Sequence, residues 1–312
     1  MASESKSSFA LIFVLWLAGL GAASQFAKIS VIFPQLRQAY PEAGLSAGFL
    51  VSLLSLCGVA LGLSAGIVVA KFGYRFLLLV ALVIGALVSA FQAMLPPLPA
   101  MLASRMIEGI SHLIIVVAAP TLIAQLSSDR HRAAALTLWG TFFGVAFALV
   151  AWFGLPLVNA YGIGSLFAAH AAVLMLVAIL LFFMLPVEKA GGRDSTALGL
   201  AEVIRRHIET YRSPFIAAPA MGWLFYTLSF VSGLTLLPGY VDQAQRVWAV
   251  SLMPLASIAV SMTIGVLLLR HMGAVRVIIL GFAVSAVFAG LVWITSAAAW
   301  ACVGLFGALG LV

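Results

Sequence analysis

Apolar runs long enough to cross a bilayer, each closed by a short polar break, recur along the whole chain. About 20 consecutive apolar residues span ~30 Å of hydrocarbon as an α-helix. On that measure the sequence predicts helices at 8–37, 45–70, 75–95, 98–126, 132–158, 162–185, 214–239, 245–269 and 274–295, with a tenth beginning at 297–312. Strands are not expected, because the runs lack barrel-type alternation and an open sheet would leave backbone groups unpaired in lipid. The stretch 187–213 breaks the pattern. It opens with Lys189-Ala-Gly-Gly-Arg-Asp, a linker composition. It then places Leu200, Val203, Ile204, Ile208 and Tyr211 at helical spacing, with Glu202/Arg206 and Arg205/Glu209 as i,i+4 pairs. This predicts a short amphipathic helix on the membrane surface. The predicted organisation is an all-α polytopic membrane protein: a six-helix bundle over 1–186, a linker over 187–213 and an incomplete second bundle over 214–312.

Composition sharpens this picture. Charged residues make up 8% of the chain and hydrophobic ones 64%, whereas a soluble domain carries about 25% charged residues. Lipid is therefore the solvent for most of the surface. The net charge of +7 reads as a topology signal and not as a nucleic-acid footprint. With the N-terminus in the cytoplasm, Lys6, Lys71, Arg75, Arg130, Arg132, Lys189, Arg193, Arg205, Arg206, Arg212, Arg270 and Arg276 face inward, and only Arg37 and Arg246 face outward. That asymmetry is the positive-inside pattern, expected of a bacterial-type inner-membrane protein. Lys6 and the run Phe9–Ala23 imitate a signal peptide, with Gly21-Ala22-Ala23-Ser24 as a mock cleavage site. The helical stretch continues to about Leu36, so the first helix reads as uncleaved. Cys57 and Cys302 sit in apolar runs and suggest neither a disulfide nor a metal site. No phosphate loop, metal cluster or nucleophile–base pair is legible, so neither enzyme chemistry nor a cofactor is expected.

Between the second and third helices the chain reads Gly62-Leu-Ser-Ala-Gly66-Ile-Val-Val-Ala70-Lys71-Phe-Gly73-Tyr-Arg75. This resembles the loop signature of the major facilitator superfamily. Gly62 and Gly66 would permit close helix contact, Gly73 a tight turn, and Lys71 and Arg75 would hold the loop at the cytoplasmic face. The acidic residue of that signature is Ala70 here, which implies that the charge lock it anchors in the family is weak or absent. A degraded copy, Gly265, Arg270, Gly273 and Arg276, lies between helices eight and nine, the position an internal repeat requires. Arg105-Met-Ile-Glu108-Gly109 resembles the family's Arg-x-x-x-Gly pattern. The stretch through Pro120, Asp129, Arg132 and Leu138-Trp139-Gly140 is similar to the cyanate and nitroimidazole permease branch. The resemblance implies secondary transport of a small solute by alternating access, coupled to a proton or a counter-substrate, in a twelve-helix fold. A second half matching the first would run to about residue 400, so the sequence reads as truncated in its tenth helix. Two other readings are a non-transporting or defective membrane remnant and a ten-helix drug/metabolite-type transporter. The latter repeats five plus five, whereas the long loop here follows helix six.

A charge at a helix centre costs about 2.5–3.5 kcal/mol on insertion scales, so charges that persist there point to function. Lys28, Arg105, Glu108 and His112 are such residues, and His170 reads as a packing histidine. Arg105, Glu108 and His112 fall within about a 60° arc of one helix face. Gln25, Lys28 and Ile32 share a face of the first helix. Counting rise per residue puts Lys28, Arg105 and Glu108 roughly 8, 10 and 6 Å outward of the bilayer centre, depths compatible with one shared site. Lys28 and Arg105 are expected to bind an anionic or strongly polar substrate, Glu108 to titrate as the coupling carboxylate, and His112 to relay protons. The bland reading is a self-neutralising cluster with Arg105 snorkelling outward. Helices one, four, seven and ten line the central cavity in the family, which implies a cavity position for these faces. Trp223 and Tyr226, in an aromatic stripe on helix seven, are further candidates for cavity lining.

Overall fold

The computed structural model describes residues 9–186, 204–205, 208–209, 212–294 and 298–312, apart from the side chains of some helical positions. The linker helix expected within 187–213 lies largely outside them. The described residues form helices and turns, with no strand among them. Their order is α1 (Phe9–Ser30), α2 (Phe33–Ala39), a 3-10 turn (Pro41–Gly48), α3 (Phe49–Phe72), α4 (Tyr74–Ala93), α5 (Leu98–Leu126), α6 (Asp129–Gly140), α7 (Phe142–Leu149), α8 (Leu155–Tyr161) and α9 (Ile163–Met184). Then come α10 (Pro214–Leu236), α11 (Gln243–Val260), α12 (Val266–Met272), α13 (Ala274–Ile294) and α14 (Ala298–Leu309). Among the described residues, eight helical stretches are long and apolar enough to cross a membrane, and Leu224–Leu236 and Ala299–Leu309 are shorter apolar helices. Among the described residues each predicted span is thus largely helical.

The breaks have local causes. Pro34 sits in the first turn of α2. It removes a donor and clashes with the preceding turn, so the first predicted helix divides at residues 31–32. The fifth and eighth predicted helices each carry one π-helical segment, Val150–Gly154 and Ser261–Gly265. Pro120 and Pro254 lie inside α5 and α11 without ending them.

Contacts divide the chain into two compact units. The first is Met1–Phe143 with Leu157–His207, and the second is Gly144–Pro156 with Ile208–Val312. The second therefore takes in part of the fifth predicted helix. In the first unit α1, α4, α5 and α9 share a core that includes Leu15, Ala18, Ala22, Leu78, Ala81, Ala118, Ala119, Leu174 and Ala178. Small residues matter here because lipid offers no hydrophobic drive and close packing must supply the attraction. A Cβ added at Gly109 would stand 2.8 Å from Cys57 Sγ and 3.1 Å from the Leu54 carbonyl oxygen, where α5 meets α3. Large apolar side chains such as Leu87 and Phe183 point outward and are exposed, as a lipid-facing surface requires. A Cβ added at Gly62 or Gly66 meets nothing within 4 Å among the described residues.

The turns repeat between the units. Gly73 (φ 94°) joins α3 to α4 and Gly273 (φ 78°) joins α12 to α13, both in the left-handed region that a Cβ penalises. Arg75 Nη2 donates to the Phe182 carbonyl oxygen at 2.9 Å, and its guanidinium lies 5.6 Å over the Phe182 ring, tying the start of α4 to the end of α9. Lys71 is exposed, 5.7 Å from the Phe72 ring centroid. Between α2 and the 3-10 turn, the Tyr40 hydroxyl donates to the Pro96 carbonyl oxygen at 2.7 Å. Burial, and then Glu42, push that phenol above its ordinary pKa.

Two glycines separate packing from propensity. Gly109→Ala is expected to lower stability by about 1–3 kcal/mol through overpacking. Gly62→Ala, in open space, should raise it by up to ~1 kcal/mol through helix propensity. The thermal midpoints of the two purified variants in one detergent check the opposite signs.

Candidate functional site

Four helices of the first unit each bring polar side chains to one buried place. Lys28 lies in the last turn of α1, Ser89 and Gln92 near the end of α4, Ser104, Arg105 and Glu108 in the first turns of α5, and His170 on α9. Lys28, Gln92, Arg105 and Glu108 are all 0% exposed. Glu108 is shared between two cations. Its Oε1 stands 2.6 Å from Lys28 Nζ, and its Oε2 is paired with Arg105 Nη1 and accepts from Gln92 Nε2 at 2.9 Å. The Oε1–Nζ approach is a contact of charges more than a well-directed hydrogen bond. Arg105 does not snorkel outward: its Nε donates to the Leu50 carbonyl oxygen on α3 at 2.7 Å. Its Nη2 is buried with no hydrogen-bond partner.

Lys28 Nζ donates to Ser89 Oγ and Gln92 Oε1, both at 2.8 Å, with His170 Nδ1 at 3.3 Å and the Phe167 ring centroid at 5.0 Å. Gln92 uses both ends of its amide, since its Nε2 also donates to Ser104 Oγ at 3.0 Å. That fixes its orientation. His170 Nε2 faces the Gly21 carbonyl oxygen at 2.9 Å, so this nitrogen carries the hydrogen and Nδ1 is left as the acceptor. Ser89 Oγ has two places for its hydrogen, the Phe167 carbonyl oxygen at 3.0 Å and His170 Nδ1 at 2.9 Å.

Of the residues singled out in the sequence, the structure brings Lys28, Arg105 and Glu108 together and adds His170. Gln25 and His112 form a neighbouring seam between α1 and α5. Gln25 Nε2 donates to Ser111 Oγ at 3.3 Å, while Gln25 Oε1 is buried without a partner. His112 Nδ1 is 3.0 Å from the Ala22 carbonyl oxygen, with its ring edge-on to Phe26. Tyr226 belongs to the second unit, where it hydrogen-bonds Ser257 and packs 5.4 Å from the Phe230 ring. The side chain of Trp223 lies outside the described positions. The sequence reading missed Ser89, Gln92 and Ser104. The available signal was Ser89 and Gln92 three residues apart, on one face of a helix that is otherwise apolar from Phe76 onward. Among the described residues no group of three or more His, Cys, Asp or Glu could hold a metal ion.

With both cations and Glu108 ionised, the cluster holds one positive charge more than it can neutralise. Burying an unmatched charge costs several kcal/mol even after relaxation. The arrangement can accept a negative charge at low cost and resists any other.

The fold is that of known carriers. A bacterial homologue of the human lysosomal transporter Spinster, solved inward-facing and unoccupied, superposes with a TM-score of 0.66 at 15% identity over 99% of this chain and 75% of its own. The inward-open xylose transporter XylE of E. coli gives 0.69 at 17% identity, over 97% and 80%. Its partially occluded form gives 0.69 at 17%, over 98% and 85%. No curated protein sequence matches the chain. The sequence profile of the Major Facilitator Superfamily matches residues 11–312. The chain belongs to the major facilitator superfamily, and its broad activity is that of a multi-pass secondary transporter of small molecules working by alternating access.

Proposed function

We propose that this carrier moves a small anionic solute, held by Lys28 and Arg105, and that its transport is coupled to a proton or to a counter-substrate. The observation that carries this reading is the unmatched positive charge: two fully buried cations share the single carboxylate Glu108, and Arg105 Nη2 still has no partner. An arriving monoanion neutralises the cluster and offers Nη2 an acceptor. Access requires α1, α4, α5 and α9 to part around a cluster that is sealed in the state described. Gln25 and His112 lie beside it. The asymmetric distribution of Lys and Arg along the chain supports a bacterial-type inner membrane with a cytoplasmic N-terminus.

A second reading has its own observation. Lys28 makes contacts to α4, α5 and α9 at once, so the cluster could serve only to lock those helices to α1. Stability and binding separate the two. Truncating one partner of a buried charge pair costs about 2–5 kcal/mol. In the anion reading Lys28→Ala and Arg105→Ala therefore weaken anion binding by roughly 30-fold or more, measured by uptake of a panel of small carboxylates and inorganic anions into proteoliposomes. A pure lock predicts a lowered thermal midpoint with unchanged affinity among the molecules that remain folded.

Topology is checked with introduced cysteines at exposed positions. Glu42→Cys should react with an impermeant maleimide in intact cells, and Arg130→Cys only after the membrane is opened. Cys57 and Cys302, both buried, should stay silent. The reverse labelling would invert the orientation.

A further inference from the structure

We propose that Lys28, not Glu108, is the group that takes up and releases the coupling proton, so that one proton travels with each monovalent anion. This rests on the anion reading above. Consider the charge states the cluster can adopt. Protonating Glu108 while Lys28 and Arg105 stay charged leaves two positive charges facing each other in a dry bundle. Removing a proton from Lys28 leaves Arg105 and Glu108 as a neutral pair. Binding a monoanion while Lys28 is charged also gives zero. The two neutral states are therefore an empty site with an amine at Lys28 and a loaded site with an ammonium. Passing between them moves one anion and one proton together. The proton enters from the aqueous side that the open site faces, sits on Nζ while the anion is bound, and leaves to the opposite side as the anion departs.

The surroundings of Nζ suit both states. Four groups lie around it: Glu108 Oε1 at 2.6 Å, Ser89 Oγ and Gln92 Oε1 at 2.8 Å, and His170 Nδ1 at 3.3 Å. An ammonium has three protons to offer them, one fewer than the acceptors present. A neutral amine has two protons and a lone pair. Gln92 cannot reverse its amide without losing its bonds to Ser104 and Glu108. Ser89 can adapt, because its hydrogen is free to leave the Phe167 carbonyl or the imidazole and turn toward the amine lone pair. Ser89 is thus a positioning residue for the proton on Lys28.

The other titratable groups around α1 do not offer the same exchange. From α5 come Glu108 and the permanently charged Arg105. From α9 comes His170, whose Nδ1 could take a proton only toward the Lys28 ammonium. On the neighbouring seam His112 points its Nδ1 to the Ala22 carbonyl. α4 contributes Ser89 and Gln92, neither of which titrates. The charged residue of α3 is Lys71 in its last turn, and Cys57 faces Met106 and Gly109. The charges of α6 lie at the far end of α1, where His131 meets Phe9, about 28 Å from Lys28 along the helix. Arg37 on α2 is exposed.

The test uses the proton itself as probe and needs no identified solute. Proteoliposomes of the full chain, adsorbed on a solid-supported electrode, are stepped from alkaline to successively more acid pH with no organic anion present, so that mass action drives a proton onto the amine of the empty site. The wild-type protein should give a transient current as the buried site gains or loses its proton. Lys28→Arg keeps a permanent charge and Lys28→Met keeps neither charge nor proton, and both should lower the current by at least about tenfold, to that of protein-free liposomes. His131→Gln, against Phe9 at the far end of α1 and outside the cluster, should keep it. A current that survives in either Lys28 variant, that disappears in His131→Gln, or that is absent from the wild type overturns the proposal. Failure of the anion reading is seen separately, as unchanged anion uptake in Arg105→Ala.

Discussion

Taking an ion out of water costs several kcal/mol even where protein dipoles replace the solvent, and the first unit takes out three at one place. Its arrangement follows from meeting that cost. α5 supplies a cation and a carboxylate one turn apart, α1 supplies the second cation, and α4 and α9 supply neutral groups around the Lys28 ammonium, while Arg105 Nη2 is left without a hydrogen-bond partner. The backbone joins in, through the Leu50 carbonyl for Arg105 and the Gly21 carbonyl for His170. The apolar core of small residues on the same helices brings the backbones close enough for side chains as short as Ser89 to reach.

Much of this was legible before any coordinates. The helices announced themselves by length and hydropathy, and Lys28, Arg105 and Glu108 stood out because each is costly where it is. What could not be read is which way each face turns. Helical spacing relates residues on one helix, but no rule of sequence fixes the rotation of one helix against another. So Arg105, Glu108 and His112 share an arc, yet only the first two join the cluster, while His112 turns to Ala22. His170 looked like a packing residue and is one by its bond to Gly21, but its other nitrogen faces Lys28. Ser89 and Gln92 were invisible for a different reason: uncharged polar residues are common enough in spanning helices that neither raises an alarm alone.

The α3–α4 loop shows what a lost charge does to a motif. Ala70 stands where the family signature carries an acid, and it is exposed. The turn itself survives, since Gly73 provides the left-handed residue. Arg75, deprived of a carboxylate in the loop, is bound to the carbonyl and ring of Phe182 on α9. A hydrogen bond and a cation–ring contact to Phe182 thus help to tie the loop within the first unit.

Two consecutive carbonyls of α1 are claimed by histidines from different helices: Gly21 by His170 of α9 and Ala22 by His112 of α5. Successive carbonyls of a helix stand about 100° apart around its axis, so the two bonds hold α1 from different sides like the jaws of a chuck. Rolling α1 about its long axis strains both at once. Torsional stiffness is the result. The change of charge proposed for Lys28 would then act on α5 and α9 through these two bonds as well as through the cluster itself.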